Sequence, residues 1–271
     1  MVNYKETYGV CGVLPSPDDD RDYSIEKLLV KAPKLPRSYM TDLGQPILNQ
    51  GEVGACVGYS IANSRAIQEK IQHNADEWVE FAPMYIYGNR YSDRDKEGKP
   101  REPVSVGSGL YPREALKILK NYGICKKVYA DYLVEYPECC NRYVANYKEL
   151  DEHAYPYRIS SYYRLKNKID MMKAVYTLKA TLICVPVYES LYFPDENGYV
   201  KPDCSGELYG YHCMTLIGYD VDKQVFIVQN SWDNTYGKKG IIYLDMDYPI
   251  SEAWGMVDEV LEQELINEYG E

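Results

Sequence analysis

Three residues that lie far apart in the chain could together perform nucleophilic catalysis. Cys56 lies in the stretch QGEVGACVGYS, at the start of a predicted helix, where unpaired backbone N–H groups and the helix dipole favour the thiolate. The thiolate is the form of cysteine that attacks a carbonyl group. His212 begins the apolar run HCMTLIGY, and Asn230 ends the apolar run QVFIVQN. The combination predicts a thiol nucleophile, its base and a residue that orients the base.

Each of these residues also has a purely structural interpretation. Most cysteines that precede an apolar helix are buried and inert, and His212 could be a hydrogen-bonded histidine of the core. The chain contains only three histidines, which shortens the search for a base. His73 lies at the polar end of the first predicted helix and His153 lies in a charged, Tyr-rich segment. His212 is therefore the predicted base.

The order and spacing of the motifs resemble those of the papain-like cysteine peptidases, the cathepsin family. Gln50 precedes Cys56 by six residues, as the family's oxyanion-hole glutamine precedes its nucleophile. The other matching motifs are His212 before a strand that ends in Gly218-Tyr219, and Asn230-Ser231-Trp232 followed by Gly237 and Gly240. The likeness covers roughly residues 35 to 246. Within the family, the sequence most resembles the non-secreted bacterial or viral members.

The resemblance implies a catalytic role for four residues, Gln50, Cys56, His212 and Asn230. Cys56 would attack the carbonyl as a thiolate, and His212 would protonate the leaving amine and later activate water. Asn230 would fix the tautomer of the ring. Gln50 would donate a side-chain N–H to the oxyanion, beside the backbone N–H of Cys56. A plain turn is the alternative role of Gln50.

The resemblance also implies a cleft whose two sides bind the substrate. The predicted substrate-binding residues are Gly107, Ser108, Gly109, Leu110, Tyr211 and Trp232. The glycines would let an extended peptide approach closely, although a turn before a helix explains them too. Trp232 would shield the His–Asn hydrogen bond from water, or it would simply fill the core. Leu110, Tyr111 and Tyr211 would favour an apolar or aromatic second substrate residue.

Four residues depart from the family pattern without removing a catalytic group. They are Val57 after the nucleophile, Tyr211 before the histidine, Cys213 in the place of a small residue, and Asp233 after the tryptophan. These departures leave the shape of the cleft, and hence the specificity, open.

The periodicity of apolar residues predicts an α+β fold of two lobes. Helical spacing follows Cys56 and recurs after Pro83, in LYPREALKILKNYG and in NKIDMMKAVYTLKA. Strand patterns dominate later in the chain. We expect a helical left lobe over about 50–125, an antiparallel, barrel-like right lobe over about 165–250, and the active-site cleft between them, all within one peptidase domain of residues 35–271. Residues 125–165 are predicted to be irregular.

Residues 1–34 form a separate N-terminal arm. The arm is rich in Pro and Asp and contains the short helical pattern IEKLLVK. It is either a short inhibitory prosegment or a strap that wraps the folded body. The resemblance to non-secreted members favours a permanent strap.

Composition excludes several classes of function. The net charge of −11 argues against a nucleic-acid partner, and no stretch approaches the roughly 18 apolar residues of a membrane span. The N-terminus lacks the apolar core of a secretory signal, so a cytoplasmic protein is expected.

Most of the eight cysteines are expected to be free thiols, and the chain has no paired C-x-x-C spacing that would indicate zinc. No cofactor is predicted, and the oligomeric state stays open.

Three functions are compatible with these features. The first is a peptidase that cuts peptide bonds of a peptide or protein through a thioester. The second is a transpeptidase or ligase with the same chemistry, in which an amine resolves the thioester. The third is a non-catalytic binding protein on a peptidase scaffold, against which the joint presence of Gln50, Cys56, His212 and Asn230 argues.

Overall fold

One sheet of eight strands forms the framework of the β-rich half of the molecule. The computed structural model describes residues 11–90, 94–100, 109–131 and 138–270. The strands are β1 (Ser38–Met40), β2 (Ser161–Arg164), β3 (Thr181–Pro186), β4 (Tyr199–Val200), β5 (Tyr211–Asp220), β6 (Val225–Gln229), β7 (Ile241–Asp245) and β8 (Glu252–Val257). Their order is β2-β8-β3-β5-β6-β7-β4, with β1 also paired to β5. Only the β4–β7 pair among these is parallel.

Eight α-helices complete the described part of the chain. They are α1 (Cys56–Gln72), α2 (Pro83–Gly88), α3 (Pro112–Asn121), α4 (Lys127–Ala130), α5 (Glu138–Ala154), α6 (Lys168–Leu178), α7 (Glu189–Tyr192) and α8 (Glu259–Tyr269). The predicted α+β fold is confirmed, although the strands form an open sheet and not a closed barrel. No helix within the described ranges combines the length and the apolar character that a bilayer crossing requires.

The sheet has apolar side chains on both faces, because successive residues of a strand point in opposite directions. Cys213 of β5 belongs to the core that contains α1, α2 and α3. Its neighbour Met214 belongs to the core on the other face, with α6 and the buried side of α8. Strand β5 therefore contributes to both cores, as β3 and β8 also do.

Helix α5 contradicts the prediction of irregular structure over residues 125–165. Its buried residues Cys139, Cys140, Tyr143 and Val144 recur at helical spacing and pack against α2. The Tyr143 hydroxyl donates to Asp151 at 2.9 Å, within the same helix. Tyrosines and cysteines are weak helix formers when exposed, and the contact with α2 supplies the stability that their propensities lack.

The N-terminal arm crosses both halves of the molecule. Its pattern IEKLLVK forms only one 3-10 turn, Ile25–Lys27, but Ile25, Leu28 and Leu29 are buried in the core beneath the sheet. Nearer the N-terminus, Asp22 pairs with Arg113 of α3, whose Nε donates to the carboxylate at 2.8 Å. Residues 22–29 thus hold the arm to both halves.

Candidate active site

Cys56 is the first residue of α1, as its sequence context predicts. A turn with Gly51 in the left-handed region (φ +56°) leads the chain into the helix, and no side chain caps the N-terminus. Cys56 is completely buried. The backbone amides of Cys213 and Gly12 lie close enough to its sulfur to act on its pKa as hydrogen-bond donors. The nucleophile predicted from the sequence therefore lies between the start of β5 and the N-terminal arm.

His212 and Asn230 meet although 18 residues separate them. Strands β5 and β6 pair in antiparallel register, Thr215 opposite Gln229, so the residues just beyond that pair lie side by side. The His212 Nε2 is 2.7 Å from the Asn230 Oδ1. The same oxygen accepts a hydrogen bond from the Ser231 backbone N–H at 2.7 Å. Because this oxygen is an acceptor, Nε2 of His212 carries the hydrogen, and Nδ1 is left as the basic nitrogen of the neutral ring.

Aromatic rings cover the His212–Asn230 pair. The Trp232 ring stacks on the His212 ring with 4.5 Å between centroids, and Tyr192 stacks on Trp232 at 5.4 Å. Only 1% of Trp232 is exposed. A hydrogen bond that is shielded from water orients a side chain more firmly than an exposed one. Trp232 therefore does both things that were expected of it: it is a core residue, and it shields the His212–Asn230 hydrogen bond from water.

Gln50 is attached to the residue that follows Asn230. Its backbone N–H donates to the Ser231 carbonyl at 2.9 Å, and its Oε1 accepts from the Ser231 hydroxyl at 2.7 Å. Its Nε2 donates to the Val53 carbonyl at 3.0 Å. These contacts direct the nitrogen of the amide to the turn that precedes Cys56. Ser231 was not among the residues selected from the sequence, and only the fold shows that it positions Gln50.

The tip of the arm, residues 11–16, lies along two of the predicted substrate-binding residues. The Val13 N–H donates to the Tyr211 carbonyl at 3.1 Å, and the Leu110 main chain bonds to Gly12 and Leu14 at 2.9 and 3.1 Å. The arm thus runs parallel to the chain at Leu110. Gly109 also borders the arm, since a Cβ on it would lie 3.3 Å from the Gly12 carbonyl oxygen. The predicted residues Gly107 and Ser108 lie outside the described residues.

Gly12 is the tightest point of the arm. A Cβ placed on it would lie 2.1 Å from the Gly54 carbonyl oxygen, a separation that no side chain tolerates. Only glycine at this position allows the arm to pack against Gly54, which lies two residues before the nucleophile Cys56. The sequence contains a weak sign of this role, the run of small and apolar residues VCGVL ahead of Pro15.

Burial under the arm favours the neutral forms of Cys56 and His212. Burial raises the pKa of the Cys56 thiol. It also lowers the pKa of His212 to about 4, although the hydrogen bond that His212 donates to Asn230 acts in the opposite direction. Near pH 7 the covered site therefore holds a neutral thiol and a neutral imidazole. The thiolate and imidazolium implied by the resemblance require that water reach the two groups, because desolvation penalises charge.

The lowered pKa of His212 predicts how stability changes with pH. An unfolded histidine binds a proton below about pH 6.5, whereas His212 stays neutral down to about pH 4. Between these values the unfolded state binds more protons, so the free energy of unfolding falls as the pH decreases. We expect urea denaturation to show a steeper fall from pH 6.5 to 4 for the wild type than for His212→Gln. His73→Gln, at an exposed position, is the control, and identical slopes for the wild type and His212→Gln contradict the prediction.

No group of three or more metal-ligating side chains occurs within the described ranges. All eight cysteines are free thiols. The candidate groups are a thiol, an imidazole and two amides, which is a set suited to acyl transfer.

Comparisons with known proteins show the family and the fold of the chain. The profile of the papain family cysteine protease matches residues 38–261. An uncharacterized peptidase C1-like protein of Acanthamoeba polyphaga mimivirus is 24% identical over 215 residues, which cover 74% of this chain and 64% of that protein. Cysteine proteinase 1 of Dictyostelium discoideum is 24% identical over 207 residues, 73% of this chain and 57% of its own length. The chain thus spans less than two thirds of these relatives.

A solved structure shows the same fold. The crystal structure of xylellain, a cysteine protease from Xylella fastidiosa, superimposes with a TM-score of 0.73 at 22% identity, and the match covers 92% of this chain and 96% of that one. The family profile matches more than half of the chain. The chain therefore belongs to the papain family of cysteine proteases.

Proposed function

We propose that the chain hydrolyses peptide bonds through a thioester on Cys56. The observation that carries the proposal is the hydrogen bond from His212 Nε2 to Asn230. It leaves Nδ1 as the base, on the residue next to Cys213, which lies in the same core cluster as Cys56. In this proposal Gln50, Cys56, His212 and Asn230 have the roles predicted from the sequence.

The chemistry uses each group in turn. Nδ1 of His212 takes the proton of Cys56, and the sulfur attacks the carbonyl carbon of the scissile bond. The oxyanion that forms accepts hydrogen bonds from the Cys56 backbone N–H and from the second hydrogen of Gln50 Nε2, whose first hydrogen is bound to Val53. The imidazolium protonates the leaving amine, and the neutral ring then activates a water that hydrolyses the thioester.

The arm holds this machinery in a covered state. Residues 22–29 serve as the strap that the sequence favours, because their apolar side chains are part of the core. The tip at residues 11–16 instead forms backbone hydrogen bonds with Leu110 and Tyr211. An extended substrate requires the same main-chain groups, so the tip must leave before a substrate binds.

Alkylation of Cys56 and turnover of peptides test the proposal. The full-length wild type and Gly12→Ala are treated with iodoacetamide near pH 6 and, separately, with a fluorogenic peptide library. We expect rapid alkylation of Cys56 and peptide cleavage in Gly12→Ala, slow reactions in the wild type, and no cleavage in Gly12→Ala combined with Cys56→Ala. The reason is that an ion pair supplies thiolate at a pH where a free thiol supplies almost none.

Two outcomes contradict the proposal. Cleavage that persists without Cys56 places the activity elsewhere, in another protein of the preparation. Alkylation of Cys56 no faster than that of a free thiol, together with no cleavage, indicates a binding scaffold. Addition of an amine acceptor distinguishes the ligase, since a product joined to the amine in place of the free acid shows that water is not the preferred acceptor.

A further inference from the structure

Two cysteines other than the nucleophile lie beneath the site and have no part in the mechanism above. Cys184 of β3 and Cys213 of β5 are completely buried. Both belong to the same core cluster as Cys56. Cys213 acts on the pKa of the Cys56 thiol, and its side chain lies on the same face of the sheet as that of Cys184, which is paired with it. The three thiols therefore form a chain that leads from the cleft into the sheet.

The register of the sheet places Cys184 and Cys213 directly opposite each other. The Val187 N–H donates to the Gly210 carbonyl at 2.8 Å, so the next pair along the ladder, Pro186 opposite Tyr211, is not hydrogen-bonded, in keeping with the missing N–H of Pro186. Hydrogen-bonded and non-hydrogen-bonded pairs alternate along an antiparallel ladder. Cys184 and Cys213, two positions further on, are thus also a non-hydrogen-bonded pair. Such pairs bring the Cα atoms to about 4.5 Å, within the range that a disulfide spans.

The position of Cys213 suits it to react with an oxidised Cys56. An oxidant that enters the cleft meets Cys56 first, and a cysteine sulfenic acid is either captured by a second thiol or oxidised irreversibly. Cys213 is the thiol beside Cys56, and Cys184 is the thiol behind Cys213. Cys11 also acts on the pKa of Cys56, but its sulfur packs beside Gly210, 3.2 Å from where a Cβ on that residue would lie, and it interacts with Tyr192.

We propose that Cys213 and Cys184 are a resolving pair that receives oxidation from Cys56 and preserves the nucleophile. The Cys56 thiolate, whose proton is on His212, attacks hydrogen peroxide. The S–O bond forms as the O–O bond breaks, and the leaving hydroxide takes that proton and becomes water. The Cys213 sulfur then attacks the sulfenic sulfur, and water leaves with the proton of Cys213. Finally Cys184 attacks the Cys213 sulfur and releases Cys56, which takes the proton of Cys184. In total one peroxide becomes two waters, and two thiols become one disulfide.

The arm controls when this sequence begins. With the arm in place Cys56 is completely buried and its pKa is raised, so little thiolate exists to react with peroxide. Displacement of the tip exposes the sulfur. Oxidation is therefore directed at the open enzyme, the same state that would cleave peptides. The disulfide itself does not depend on the proposed peptidase activity, because it is observed by mass.

Peptide mapping after peroxide treatment tests the proposal. Full-length Gly12→Ala is exposed to hydrogen peroxide, the remaining thiols are alkylated, and the digest is analysed by mass spectrometry. We expect a linked peptide pair that contains Cys184 and Cys213, with Cys56 recovered in its alkylated form. The full-length wild type should form the linked pair at least tenfold more slowly.

Replacement of the resolving thiol supplies the contrasting result. In Gly12→Ala combined with Cys213→Ala, Cys56 should gain two or three oxygens and should not be recovered by dithiothreitol. Cys125→Ala, at a buried thiol outside the three-cysteine chain, should leave the linked pair unchanged. A link between Cys11 and Cys56, or equal loss of Cys56 with and without Cys213, overturns the proposal. Cleavage of a fluorogenic peptide before oxidation is measured separately, so failure of the peptidase assignment is recognised by itself.

Discussion

His212→Ala is expected to lower kcat/KM for peptide cleavage by about 10⁴-fold, because the base and the thiolate partner are lost together. The chain has three histidines, so the other two provide matched controls. His73 is exposed and pairs with Glu69, and His153 stacks on Tyr129 with 3.7 Å between ring centroids. Neither position touches the cleft, and both alanine variants should keep kcat/KM within about twofold.

The measurement requires an open cleft. All three substitutions are therefore made in full-length Gly12→Ala, and initial rates are taken with one fluorogenic peptide. A circular dichroism spectrum and a melting temperature show whether each variant folds. If His212→Ala retains more than a tenth of the activity of Gly12→Ala, an imidazole is not the base, and the assignment of Cys56 and His212 as partners is wrong.

Gly12→Ala by itself is expected to raise the peptidase activity of the full-length chain by about 10- to 100-fold. The added methyl group would lie 2.1 Å from the Gly54 carbonyl oxygen, and overpacking of this kind costs about 1–3 kcal/mol. Each 1.4 kcal/mol changes an equilibrium about tenfold. Because the strap at residues 22–29 is retained, the free energy of unfolding should change far less than the activity.

Asp18→Ala is the control within the arm. Asp18 is exposed and lies beyond the tip that contacts Leu110 and Tyr211, so this substitution should not release the tip. Rates of Cys56 alkylation provide a second readout that does not depend on the substrate chosen. Equal activity and equal alkylation in the wild type and Gly12→Ala contradict a covered state, and they show that the tip leaves the cleft without help.

Local patterns in the sequence were sufficient for the elements that hold the site. The helix after Cys56, the strand that begins at His212 and the strand that ends before Asn230 all appear in the structure, because apolar periodicity reflects which side of each element is buried. The fold class and the family were also predicted correctly. The catalytic roles of the four residues stay predictions until the variants are measured.

Other features escaped prediction because distant contacts determine them. Helix α5 depends on α2 for its buried face, and its Tyr- and Cys-rich sequence has no strong helical preference of its own. Ser231 binds the side-chain oxygen and the backbone N–H of Gln50, and it can do so only because β6 brings it beside the turn at Gln50. The opposition of Cys184 and Cys213 follows from the register of two strands, which a spacing of residues in sequence does not reveal.

The sequence by itself determined which groups are candidates for the chemistry, since an amide, a thiol, an imidazole and a second amide in this order indicate acyl transfer. Only the tertiary structure decided that these groups are covered by the arm. The arm covers Cys56 because Gly12 fits against Gly54 and because backbone groups of Leu110 and Tyr211 bind it. Backbone hydrogen bonds and a close contact at a glycine carry almost no side-chain signature, so packing determines them and sequence patterns do not show them.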